Sequence, residues 1–125
     1  MSKFIKYTNI TFKANTGVFV GTLAEFANKF NLSYKDVKSF DGCDGTVIKV
    51  TKETKQGSEL RRVIWLKHFK KGNTYDLGVF IHELSHLVFI IAEDKGITVK
   101  LDTNNETYCY LIEELFKHFY TKLVV

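Results

Sequence analysis

Two histidines four residues apart, with a glutamate beside the first, are the residues of this chain best placed to do chemistry: His82-Glu83-Leu84-Ser85-His86. Around them Leu77, Phe80, Ile81, Leu84, Leu87, Val88 and Ile91 recur at three- and four-residue spacing. The segment therefore reads as a helix from Thr74, with Gly96 suited to the position just past its end. On a helix, positions i and i+4 share one face a turn apart, so both imidazoles reach a single ion. Neutral imidazole is a good zinc ligand, at about 2.0–2.1 Å. Glu83 is turned about 100° from His82, where it can hold a metal-bound water rather than the metal. A His-Glu-His stripe in a strongly apolar helix is costly to bury without a partner.

A catalytic zinc wants three protein ligands and one open position. Glu106 follows His86 by 20 residues and opens the last helix in Asn104-Asn105-Glu106-Thr107. A helix, a reversal through Gly96 and a second helix would return that first turn to the motif. Thr103-x-x-Glu106 is also a capping box, which would occupy Glu106 at the helix start.

The His82–His86 motif followed by Asn105-Glu106 on a second helix resembles the gluzincin metallopeptidases, the thermolysin-like arrangement, over about residues 76–119. The resemblance implies His82, His86 and Glu106 as zinc ligands and Glu83 as general base. That family carries an Asp four residues after the third ligand to orient a ligand histidine; here the position is Tyr110, and Tyr110 or Glu113 would take that role. The whole chain also resembles small metallopeptidase-like proteins of phages and prophages, through the motif helix and Asn105-Glu106-Thr107-Tyr108-Cys109-Tyr110.

The elements that must hold these residues follow from patterning. Lys3–Lys13 reads as a strand, Asn15-Thr16-Gly17 as a turn and Val18–Val20 as a second strand. Thr22-x-x-Glu25 opens a helix to about Phe30, and Ser33 caps another to Phe40. Thr46–Thr54 and Leu60–Phe69 form a hairpin. Ile97–Leu101 is a short extended connection, and the last helix runs from about 102–105 to Lys122, burying Tyr108, Leu111, Ile112, Leu115 and Phe119. The expected fold is α+β: one minimal zincin-like domain over residues 1–125, a small antiparallel sheet packed on the motif and C-terminal helices. A short helix pair is inserted after the N-terminal strands.

Composition bounds the rest. At 125 residues and 45% hydrophobic content the chain suits one globular domain. No uncharged apolar run reaches the roughly 18 residues of a membrane span, and residues 1–8 lack a signal-like apolar stretch. The expected location is cytoplasmic (a host cell's, or a virion for a phage protein). Cys43 and Cys109 are too few for a disulfide framework. The net charge of +4 is concentrated: residues 46–71 hold eight Lys/Arg against Glu53 and Glu59.

The expected activity is peptide-bond hydrolysis, with a protein or peptide as substrate. Tyr75, His68 and His118 are candidate oxyanion donors, and the strand Leu60–Phe69 a candidate edge for an extended peptide. Two alternatives stand beside it: a catalytically silent zincin-fold component partnering other phage proteins, and a nucleic-acid-associated protein. The latter would use the basic hairpin and the helix pair 22–37, which resembles a helix-turn-helix.

Overall fold

The computed structural model describes residues 2–97 and 105–125. Strand β1 (Lys3–Thr8) is shorter than its β-rich composition suggests. Asn9 ends it: the Asn9 side-chain oxygen accepts from the Phe12 N–H at 2.6 Å, and Lys13 turns through a left-handed φ of 54°. The chain returns directly as β2 (Asn15–Val20), so the residues expected to form a turn are strand residues paired with β1.

The hairpin is present as β3 (Gly45–Thr54) and β4 (Gly57–Leu66), closed by Lys55-Gln56. Residues 67–69 lie beyond the strand. The sheet order is β1-β2-β4-β3. Both hairpins are antiparallel, as expected, but β2 and β4 join them in parallel, with Val18 opposite Ile64. The sheet is therefore mixed, and β4 is interior. The edge strands are β1 and β3, so the 60–69 strand, expected as an edge, is flanked on both sides.

Alternation along the strands builds two cores. One face of the sheet packs under helix α1 (Leu23–Lys29), helix α2 (Tyr34–Val37) and a turn of 3-10 helix (Lys38–Phe40); Phe19, Val63 and Trp65 meet Leu23, Phe26 and Val37 there. The Thr22–Glu25 capping box forms as expected, and Ser33 caps α2. With α2 a single turn, the expected helix pair has no reading helix of the kind a helix-turn-helix inserts into a groove.

On the other face, Ile5, Val18, Ile64 and Leu66 pack against helix α3 (Thr74–Asp94) and helix α4 (Asn105–Leu123). Asn73 caps α3 by accepting from the Asp76 N–H at 3.0 Å. At the other end the Gly96 and Ile97 N–H groups return to the Glu93 and Ala92 carbonyls with Gly96 at φ 70°, the double closure a glycine past the helix end permits. Among the described residues α3 is the one helix long and apolar enough to cross a membrane; here Phe80, Leu84, Leu87 and Ile91 are buried in the protein core. Tyr108, Leu111, Leu115 and Phe119 line the α4 side as expected, whereas Ile112 is exposed. The connection expected over 97–101, the start of the last helix and the Thr103 cap lie largely or wholly outside the described residues.

The basic segment does not form one stripe. Arg62 makes a two-bond pair with Asp94, and Arg61, pointing to the opposite face, donates to the Thr16 carbonyl at 2.7 Å. Period-two alternation divides the charge between the two sides of the hairpin.

Candidate metal centre

Helix α3 carries the motif on its outer side. The faces bearing Phe80, Leu84 and Leu87 go to the core, which leaves His82 and His86 exposed a turn apart. Their Nε2 atoms are 3.1 Å from each other. At that separation both nitrogens can reach one ion between them. Glu83, by contrast, is buried, 7% exposed. Ligand atoms of His82, Glu83 and His86 all lie within 4.8 Å of one another, and this is a cluster that can hold a metal ion.

Burial pushes the Glu83 carboxyl above the usual carboxylate range, and positive charge on His82 and His86 works in the other direction. A cation in the cluster would favour the carboxylate in the same way. Two exposed imidazoles turned toward each other beside a partly desolvated carboxylate suit a divalent cation.

Beside the cluster is an open depression of about 440 Å³ lined by residues that include Asp44, Gly45, Tyr75, Gly78, His82 and Glu83. Gly45 is required by close approach: a Cβ there would sit 3.0 Å from both the Trp65 carbonyl oxygen and a Val79 methyl. Gly78 faces open space, and its missing side chain widens the depression next to His82. The Tyr75 hydroxyl donates to the Asp44 carboxylate across the opening, which holds the phenol above its ordinary pKa.

Of the three expected oxyanion donors, Tyr75 alone lines this depression. His68 is engaged by Asp76, at 2.9 Å, on the loop before α3. His118 stacks on Tyr7 at 4.0 Å between α4 and β1. There burial holds its imidazole below the usual range, helped by the Lys122 charge. Tyr7 donates to Glu114, and that hydrogen bond, with burial, pushes its phenol up to about 12.

Glu106 lies in the first turn of α4, exposed, and is not part of the cluster. The Phe89 and Tyr108 rings, 5.7 Å apart, hold the start of α4 alongside α3 one turn beyond His86. Tyr110 is 65% exposed and Glu113 pairs with Lys117 at 2.7 Å. Among the described residues neither one hydrogen-bonds an imidazole. Cys43 and Cys109 are free and exposed. Asp44 was not legible as a site residue, because only tertiary pairing brings the start of β3 against α3.

Compared with known proteins, the chain matches no family model, no curated protein and no solved structure. Fold and site together define a small α+β domain whose His82-Glu83-His86 cluster can hold a metal ion.

Proposed function

We propose that this chain is a zinc-dependent metallopeptidase of minimal, zincin-like form. The observation that carries this reading is the 3.1 Å separation of the two exposed imidazole nitrogens, with buried Glu83 beside them at an open depression. In this reading His82 and His86 would hold the ion, and Glu106, which lies outside the cluster in the first turn of α4, would be drawn in as the third ligand. A zinc held there would supply Lewis-acid chemistry, acidifying a water toward a pKa of about 7 and polarising a carbonyl.

Glu83 does the proton work. Its carboxylate accepts a proton from the attacking water and returns it to the leaving amine. Burial pushes this carboxyl above the ordinary carboxylate range while the charge of His82 and His86 works against it, and a raised pKa makes the carboxylate a stronger base. Gly45 opens the edge strand β3 at the depression, and an extended peptide adding to that edge would run beside His82 and Glu83.

Zinc content and cleavage of a denatured protein are measured on wild type and on Glu83→Gln. The reading expects zinc in both and cleavage only by wild type. Cleavage surviving in Glu83→Gln contradicts the mechanism, and zinc without cleavage in wild type supports the catalytically silent alternative.

A further inference from the structure

We infer that Asp44 and Tyr75 form a subsite that selects a lysine or arginine side chain of the substrate; the inference rests on the peptidase reading and names its substrate class. Asp44 is half-buried at the depression, fixed because its carbonyl accepts from the Lys67 N–H at 2.9 Å just beyond the β3–β4 ladder. Its carboxylate has the Tyr75 hydroxyl as a neutral partner. In a chain with 18 Lys/Arg against 14 Asp/Glu, no Lys or Arg nitrogen lies within 4.0 Å of that carboxylate among the described residues. Asp94, Glu59 and Glu113 have Arg62, Arg61 and Lys117 as partners, and among the described acids without one Asp44 is the one that lines this depression with a tyrosine hydroxyl on its carboxylate.

One carboxylate oxygen accepts from Tyr75, and the carboxylate keeps acceptor capacity for a second donor. The Tyr75 ring, 62% exposed, offers a face along which an aliphatic stem lies, with cation–π attraction for its charged end. A lysine or arginine side chain entering here satisfies the carboxylate with a charge-assisted hydrogen bond. An acidic side chain meets repulsion from the Asp44 carboxylate.

The test uses full-length Glu83→Gln protein, which in this reading holds peptide without cutting it. The probes are a blocked pentapeptide with one central lysine and the same peptide with norleucine, which keeps most of the stem and drops the charge. The lysine peptide should bind on the order of fivefold tighter, the size of one partly exposed ion pair with an aromatic contact. Adding Asp44→Asn, which keeps an acceptor for Tyr75, should erase the difference. Asp44→Lys should make a glutamate peptide bind better than the lysine peptide. A lysine preference that survives both changes, equal affinities before them, or no binding of either peptide overturns the inference. Zinc content and cleavage by wild type are read in parallel. An active, zinc-loaded wild type with no Asp44-dependent preference refutes this subsite alone, and a zinc-free, inactive wild type refutes the peptidase reading.

Discussion

Glu83 sits where burial disfavours its charge and the flanking imidazoles invite it. A single-atom change isolates its role: glutamine keeps the shape and hydrogen-bonding reach but cannot take a proton. Glu83→Gln should lower kcat by roughly 10²–10⁴ at unchanged zinc content, checked by peptide turnover beside elemental analysis. His118 supplies an independent prediction. Burial among Tyr7, Phe119 and the Lys122 charge depresses its pKa below the unfolded value. As pH falls through about 6.5, the unfolded chain therefore takes up protons that the folded chain resists, and stability drops with pH. The urea midpoint should fall between pH 7 and about 5.5 in wild type, and fall less in His118→Phe, which keeps a ring on Tyr7. Equal falls would refute this. The His82-Glu83-His86 cluster was legible because i and i+4 on a helix is a local relation. Asp44 was not, since no local pattern marks a carboxylate that meets α3 only through folding.

Helix α3 was readable nearly to its ends, where Asn73 and Gly96 provide local closing signals. Its apolar stripe overreached only at its margin, where Ile81 is 45% exposed beside the histidines. The strands were less legible. Lys3–Lys13 is uniformly β-prone, and what interrupts it is the Asn9 side chain capping a turn, an effect that hydrophobic alternation does not record. Gly78 tests the element-scale account. It lies inside α3, and a methyl there would touch nothing. Gly78→Ala should stabilise the fold by about 0.5–1 kcal/mol, the helix-propensity difference, measured by denaturant unfolding. It should also raise KM while leaving kcat and zinc content unchanged, because the added methyl narrows the depression beside His82. A loss of stability would contradict the open space assigned there.

At the scale of the whole molecule, two helical layers enclose a sheet whose central joint, β2 with β4, links residues 16–20 to 62–66. Both hairpins were readable because each strand pairs with its sequence neighbour. The parallel joint was not, since the choice between parallel and antiparallel pairing across that separation depends on how α1 and α2 cross the sheet. An ion shared by two α3 side chains and the first turn of α4 would tie this scaffold together at its surface. Zinc at 100 times its dissociation constant adds about 2.7 kcal/mol to a folded state that alone binds it. Chelation should therefore lower Tm by on the order of 10 °C in wild type. His86→Ala should show no such response.

The most direct measurement is zinc per chain in protein purified under zinc-replete conditions, for wild type, His86→Ala and Glu106→Ala. The account predicts close to one equivalent in wild type, near none in His86→Ala and a weakened, easily stripped ion in Glu106→Ala. Metal-free wild type, or full zinc retained without His86, would contradict it.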